Sequence, residues 1–315
     1  MPALPRVVVL GGSGFVGRHL AAALFASDRR VFIVARRRSR ARDLFLLPTA
    51  EVIETDPYDG AALTSVFHGA DAVVNLIGIL NEQPPGTTFA RAHVEMARSV
   101  VAACRQARVA RLLHMSALNA DPAGPSRYLR TKGEAEAIVS DSGLAWTIFR
   151  PSVIFGREDA FLNLFARLMR SLPVIALAAP NARFAPIHVE DVARCFVQAL
   201  DDDTMIGKRF DLCGPNVYTL QSLVEYVGVV TGLRRPIVPL GPALSKLSAT
   251  LLERLPGRLM SRDNLASMQK DAVCDGAFPP TFHFAPAALE TIAPLYLSPA
   301  AMHSKYDRMR ARSGR

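Results

Sequence analysis

The sequence predicts an α/β protein built on a doubly wound parallel sheet, with a small C-terminal lobe. Three observations carry this. Short apolar runs alternate with helical patterns through the first 150 residues, the first run ends in a glycine-rich turn that opens a helix, and the rhythm breaks after Pro151. The 315 residues are 50% hydrophobic and 21% charged, the profile of a folded globular chain. No stretch free of Asp, Glu, Lys and Arg exceeds 14 residues, too few for a membrane-spanning helix. No secretory signal is expected before the Val-rich run at 6–10. Cys104, Cys195, Cys213 and Cys274 are scattered without paired spacing, which argues against a zinc site or a disulfide framework and for a reducing compartment.

In chain order, strands are expected at 6–10, 31–35, 51–55, 72–77, 111–116 and 145–149. They are short, rich in Val, Ile and Leu and mostly without polar alternation, as strands buried on both faces are. Helices are expected between them at 15–26, 61–67, 89–107 and 128–142, and this order demands crossovers and a parallel sheet. Beyond Pro151, residues 159–170, 189–200 and 220–231 read as helices and 210–213 as one more strand. Leu244, Leu247, Leu251 and Leu255 recur at helical spacing and stop at Pro256-Gly257.

The first chemistry lies in Gly11-Gly12-Ser13-Gly14-Phe15-Val16-Gly17, directly after a buried strand. Gly11 permits the tight turn, Gly14 lets a pyrophosphate approach the backbone, and Gly17 lets helix pack against strand. The helix N-terminus offers unpaired N–H groups and the positive end of its dipole to the phosphates. In a strand–turn–helix context this is a Rossmann-type dinucleotide signature. The expected domains are therefore a nucleotide-binding Rossmann domain at 1–235, with core 5–160 and return segment 186–215, and a small lobe with a basic tail at 236–315.

The end of the second strand selects the cofactor. Binders of NAD place an acid there for the ribose 2′-hydroxyl, about 20 residues past the glycines. This chain reads Ala35-Arg36-Arg37-Arg38, and a guanidinium grips a 2′-phosphate that a carboxylate repels. NADP(H) is therefore expected over NAD(H), with Arg36 and Arg37 at the phosphate; the other reading of the run is a solvated basic loop. Asp56, after the third strand, is placed for the adenine amino group. Asn75 and Gly78, where the fourth strand ends, are placed to line the adenine ribose.

Tyr128 and Lys132 stand four apart on one helical face, and Ser116 lies 12 residues before Tyr128, at the end of the fifth strand. The trio suits proton transfer at a carbonyl or alcohol oxygen. Ser116 hydrogen-bonds that oxygen, Tyr128 donates or accepts the proton, and the Lys132 ammonium lowers the Tyr128 pKa while holding the nicotinamide ribose. Only five of the 37 cations are Lys, and Lys132 is the first of them, an exception that a need for a compact ammonium explains. The plainer reading is an exposed helix lysine beside a packed tyrosine.

These blocks, with Phe149-Arg150-Pro151-Ser152-Val153-Ile154-Phe155-Gly156, resemble the extended and atypical short-chain dehydrogenase/reductase superfamily. Residues 114–120, 126–132 and 156–163 resemble, more narrowly, its complex I accessory-subunit family and the bacterial relatives of that family. The likeness runs through 5–235 and is most specific at 156–163. It implies tightly bound NADP(H), and association with respiratory complex I or with proteins of quinone (ubiquinone) biosynthesis, at or near a membrane. It implies Gly11, Gly14 and Gly17 at the pyrophosphate, Arg36 and Arg37 at the 2′-phosphate, Ser116, Tyr128 and Lys132 as the catalytic-type trio, and Pro151 and Val153 along the nicotinamide. Leu10 stands where the superfamily has Thr, and His93 where it has Asn. With no presequence before Arg6, a bacterial, cytoplasmic protein is expected, peripheral on the inner face of the cytoplasmic membrane if it meets lipid. The same trio also fits a soluble NADP(H)-dependent reductase or epimerase of a small carbonyl or sugar-like substrate.

The charge is 37 Lys+Arg against 28 Asp+Glu, or +9. Seven Arg lie between Arg29 and Arg42, and the tail holds Lys305, Arg308, Arg310, Arg312 and Arg315. No nucleic-acid motif accompanies either cluster, so a solvated face, an anionic lipid surface or a phosphate ligand is expected in place of nucleic acid. Asp191 is expected to cap a helix or to buttress the nucleotide lobe. The leucines at 244–255, with Lys246, Arg254 and Arg258 beside them, either pack against the sheet or lie on a membrane surface.

Overall fold

Val7, Val8, Val9 and Leu10 are all buried, so the strand they form needs cover on both faces and neighbours on both edges. A computed structural model, describing residues 4–83, 86–253 and 260–298, shows how both are supplied. The strands are β1 (Arg6–Leu10), β2 (Arg30–Ala35), β3 (Ala50–Glu54), β4 (Ala72–Asn75), β5 (Arg111–Met115), β6 (Ala145–Pro151) and a last sheet strand at Lys208–Leu212. They form one seven-stranded sheet among the described residues, every pair parallel, in the order Lys208–Leu212, β6, β5, β4, β1, β2, β3. The winding reverses between β1 and β4, so their carboxyl ends flank the switch point where such sheets bind ligands.

Helices α1 (Phe15–Ala26), α2 (Gly60–Phe67), α3 (Met96–Ala107) and α4 (Arg127–Ser140) alternate with the strands; α5 (Leu162–Ser171), α6 (Val189–Asp201), α7 (Leu220–Thr231) and α8 (Pro242–Leu252) come after β6. Val8, Leu10, Phe32, Val34, Val73, Leu112 and Ile148 share one sheet face with Leu63 and Phe67 of α2, Val100 of α3 and Val139 of α4. The pleat turns Val7, Val9 and Ile33 the other way, where α1 packs beside α6. The helix expected over 89–107 is not uniform. Ala90–Glu95 forms a wider π-helical turn, and regular α-helix begins at Met96.

The chain forms two compact units. The first holds the residues up to Pro151, with Val189–Leu212 and Pro279–His283; the second holds Ser152–His188, Cys213–Phe278 and the residues from Phe284. Residues 152–188 and 213–235 thus cluster with the C-terminal stretch and not with the sheet. In the second unit α5 lies on α7, with Phe165, Met169, Leu223 and Val227 buried. Among the described residues no helix is long and apolar enough to cross a membrane. Arg254, Leu255, Pro256, Gly257, Arg258 and the basic tail at 305–315 lie outside the described residues.

The expectation of four unpaired cysteines is overturned: Cys213 and Cys274 form a disulfide, leaving Cys104 and Cys195 free and buried. The partners are 61 residues apart and meet along one segment. Gly214, beside Cys213, donates its N–H to the Ala185 carbonyl, while Ala185 donates to the carbonyl of Ala272, two residues before Cys274. Local spacing carries no trace of such a meeting, and the cysteines no longer argue for a reducing compartment.

Candidate functional site

At the carboxyl end of β1 the chain must turn within van der Waals reach of the segment after β4. Gly11 has φ +77°, and a Cβ there would sit 3.1 Å from the Leu76 carbonyl carbon. At Gly17 a Cβ would sit 2.4 Å from the Gly11 oxygen and the Gly12 Cα, so only glycine lets α1 rest on the turn. Gly14 donates its N–H to the Gly11 carbonyl (3.0 Å) and precedes α1, whose N-terminus no described side chain caps and whose first turn holds no acid. Gly12 lies against Ile33, Val16 is buried, and the Phe15 ring meets His19 edge-on.

Beside this turn opens a cleft of about 470 Å³, lined by Ser13, Gly14, Arg18, Ser39, Arg40, Arg42 and Asp43. Arg18 donates from Nε to the Ser13 carbonyl (3.2 Å), and its guanidinium lies 3.4 Å from the Asp43 carboxylate. Arg40 and Arg42 are delivered by tight 3₁₀ turns over Arg38–Leu46, broken at Ala41. Arg36 and Arg37 are exposed just past β2 and are not among the residues lining this cleft. Asp56 is exposed and accepts from the Tyr58 N–H (3.1 Å).

A second group gathers where β4 and β5 end. Ser116 donates its N–H to the Phe149 carbonyl (2.7 Å), which fixes its backbone, while its Oγ is buried with no described partner. Lys132 is buried; its Nζ donates to the Met115 carbonyl (3.0 Å) and lies where a Cβ on Gly78 would be 3.1 Å away. The Tyr128 ring stands edge-on to Phe89 and His93, with centroids 5.8 and 5.5 Å away. Desolvation pushes its hydroxyl up to about 12. Desolvation also pulls Lys132 down to about 8, opposed by the Glu136 carboxylate. The expected lowering of the Tyr128 pKa is therefore not found here: burial acts on both groups, and the ammonium is engaged by a carbonyl.

Two histidines complete the group. His93 Nε2 accepts from the Ile79 N–H (3.3 Å), so the ring carries its proton on Nδ1 and donates it to Thr131 Oγ1 (2.8 Å). Burial, then Lys132 and His114, push it down to about 2, so it is a neutral brace between the loop after β4 and α4. His114, two residues before Ser116 on β5, is pushed down to about 3 by burial and Lys132. Its Nδ1 meets Asn75 Nδ2 (3.2 Å), and its buried Nε2 has no described partner. The Asn75 side chain is turned inward, holding His114 and accepting from the Ile77 N–H (3.1 Å).

The remaining residues do structural work. The Pro151 carbonyl accepts from Leu118 N–H (3.0 Å), while Val153 belongs to the second unit and accepts there from Ile187 N–H (3.0 Å). Asp191 is buried in the first turn of α6. In the 156–163 block, buried Asp159 accepts from the N–H groups of Gly156, Leu162 and Asn163 and from the Tyr296 hydroxyl, and so begins α5. Sequence reading did not single out Arg18, Arg40, Arg42 or His114, although Arg40 and Arg42 stand in the arginine cluster for which a phosphate ligand was one reading, and His114 lies two residues before Ser116 at the end of β5.

The glycine cradle, the uncapped α1, the arginine-lined cleft and the orphaned Ser116 Oγ fit a dinucleotide with its phosphates at one end and its reacting ring at the other. The fold is that of an NAD(P)-binding α/β protein with a Rossmann-type parallel sheet. The chain belongs to the NAD(P)H-binding family, whose family model matches residues 11–203. It is 32% identical over 237 residues to the mouse mitochondrial NADH dehydrogenase (ubiquinone) 1 alpha subcomplex subunit 9, covering 73% of this chain and 62% of that protein. It is 32% identical over 226 residues to the Arabidopsis thaliana counterpart, covering 69% and 56%. The match therefore spans less than two thirds of those relatives. Against the Neurospora crassa NADH-ubiquinone oxidoreductase 40 kDa subunit the identity is 29% over 272 residues, covering 85% and 71%. Among solved structures, an NADPH-dependent quinone oxidoreductase from Escherichia coli, complexed with NADPH, matches with TM-score 0.74 at 20% identity, covering 92% of this chain and 99% of that one. A Staphylococcus aureus nucleoside-diphosphate-sugar epimerase matches with TM-score 0.72 at 19% identity, covering 90% and 98%. At these identities the likeness shows the fold.

Proposed function

We propose that this chain holds NADP(H) as a tightly bound group in a protein associated with respiratory complex I or quinone metabolism. The observation that carries the association is the likeness to mitochondrial complex I subunits across more than two thirds of the chain. The choice of NADP(H) over NAD(H) is supported by the arginines around the glycine turn. Arg40 and Arg42 line the cleft and Arg36 and Arg37 flank the end of β2, a density of guanidinium suited to a 2′-phosphate. Partners among complex I or quinone-biosynthesis proteins, and a place on the cytoplasmic side of the membrane, belong to the same proposal.

A bound nicotinamide would supply hydride chemistry. The chain's own part is to present Ser116 Oγ to an oxygen and Tyr128 as proton donor or acceptor, with Lys132 beside Gly78 at the ribose. What supports a held nucleotide over a turned-over one in this reading is that Lys132 is engaged by the Met115 carbonyl and the Tyr128 ring packs against Phe89 and His93. The second reading is a soluble NADP(H)-dependent reductase or epimerase acting on a small carbonyl or sugar-like substrate, favoured by the intact Ser116/Tyr128/Lys132 trio and the unpartnered Ser116 Oγ.

The test is to release and identify the nucleotide of the purified protein, then follow NADPH oxidation with quinones and with small carbonyls. Non-exchanging, unreacted NADPH with co-purifying membrane complexes supports the first reading; turnover abolished by Tyr128→Phe supports the second. Arg40→Ala with Arg42→Ala, and separately Arg36→Asp with Arg37→Ala, should weaken NADP(H) far more than NAD(H). Equal losses for the two nucleotides in both variants would refute the 2′-phosphate assignment.

A further inference from the structure

His93 and His114 lie in one buried group, but only His93 has both ring nitrogens engaged, accepting from Ile79 and donating to Thr131. In His114 the neighbour of Nδ1 fixes the tautomer. Asn75 Oδ1 accepts from the Ile77 N–H, so the Asn75 atom facing Nδ1 at 3.2 Å is Nδ2, a donor. Nδ1 therefore accepts, and the ring proton lies on Nε2. That N–H is buried with no described partner, and so is Ser116 Oγ; the two residues are 2% and 4% exposed. A buried polar atom left unpaired is costly, and native structures seldom keep one without a use.

The strand brings the two atoms to one place. The Ser116 N–H carries the pairing of β5 with β6 one residue further, onto the Phe149 carbonyl. The pleat then puts Ser116 on the sheet face of His114, roughly 6.6 Å along the strand. One bridging oxygen, with two hydrogen bonds of about 2.8 Å, spans a gap of that order. Lys132 Nζ donates to the carbonyl of Met115, the residue between them, and its charge acts on the His114 ring. A water satisfies the proton count: it accepts from His114 Nε2–H and from the ammonium and donates to Ser116 Oγ, about three bonds as is usual for a buried water. We infer that His114 is a positioning residue for Ser116, holding the serine hydroxyl through one water so that its own proton is turned toward a ligand. A ligand oxygen suited to a donating Ser116 is a carbonyl or oxyanion oxygen, which can only accept. That ligand class rests on the reductase reading of the Ser116/Tyr128/Lys132 trio; the link between His114 and Ser116 does not.

The experiment is heteronuclear NMR of the histidine side chains in the full-length protein, with the His114 signals assigned by their loss in His114→Leu. A proton on Nε2 is expected, and Ser116→Ala should shift its resonance and speed its exchange with solvent about tenfold. A proton on Nδ1, or an Nε2–H that Ser116→Ala leaves unchanged, would overturn the link. So would an Nε2–H that responds to added NADPH and not to Ser116→Ala, which would place His114 on the nucleotide. In NADPH oxidation with small carbonyls, His114→Leu should lower kcat about tenfold at an unchanged KM for NADPH. His114→Gln keeps a distal N–H and should recover most of that loss. Equal losses in the two variants would overturn the positioning role, because the ring's shape and not its proton would then matter. No turnover with any carbonyl would overturn the ligand class together with the reductase reading, while the NMR result decides the link by itself.

Discussion

Lys132 carries a charge in a place that does not favour charge. Its pKa falls from 10.5 to about 8 because burial removes the water that would solvate the ammonium. Below pH 8 folded and unfolded chains are both protonated and the burial cost is felt in full. Between 8 and 10.5 only the unfolded chain holds the proton, so stability rises with pH, and above 10.5 the cost is gone. Lys132→Met should therefore stabilise the protein at pH 7 by about 2 kcal/mol, after the lost bond to the Met115 carbonyl is counted. That gain should vanish by pH 10.5 in denaturant melts, and no gain at pH 7 would show that the charge is not buried. His93 and His114 act on the acid side. Both pKa values lie below the ordinary 6.5, at about 2 and about 3, so as pH falls through 6.5 the unfolded chain takes up protons that the folded chain refuses. Stability should drop by about 2.7 kcal/mol per pH unit for the pair, and His93→Gln with His114→Gln should flatten that slope between pH 6 and 5. Residue roles set by sterics were legible: Gly11 and Gly17 do what their spacing predicts. Roles set by which polar atom meets which were not. The sequence shows Asn75 at a strand end, but not that its amide turns inward to His114.

At the scale of elements, strands and helices were legible because each buries a periodic face. β1 and α1 fall on residues 6–10 and 15–26 as expected, and α7 on 220–231. What escaped are elements whose geometry is set by polar contacts. The arginine run over Arg38–Leu46 has no apolar period, so the turns that carry Arg40 and Arg42 to the cleft could not be read. The π-helical turn keeps the hydrophobic spacing of its helix and is invisible to it. The 156–163 block is the opposite case: its distinctive residues were plain, but their use was not. Asp159 satisfies three backbone N–H groups and the Tyr296 hydroxyl, so the block serves to begin α5. Asp159→Ala should leave those donors unpaired and cost about 3 kcal/mol, read as a shifted urea midpoint. A change below about 0.5 kcal/mol would mean that water replaces the carboxylate.

At the scale of the whole molecule, the two units differ in how the chain builds them. The first comes mostly from consecutive strand–helix units, so local patterning was enough to foresee the sheet. The second is assembled from Ser152–His188, Cys213–Phe278 and the residues from Phe284, and what joins such segments is tertiary. Its core is correspondingly dependent on contacts between distant stretches, such as Phe165 and Met169 of α5 with Leu223 of α7 and Leu289. A cross-link matters most in such a unit, because it removes unfolded conformations that no local structure removes. Cys213 and Cys274 close a span of 61 residues, for which loop entropy gives about 4 kcal/mol. Reduction, or Cys213→Ser, should therefore lower hydrogen-exchange protection in 152–188 and 213–278 while β1, β4 and β5 keep theirs, since those strands draw on the buried sheet core. Protection lost evenly across both sets would show that the sheet depends on the staple as much as the segments it joins. A second unit that stays fully protected would show that its apolar core holds the three segments without it.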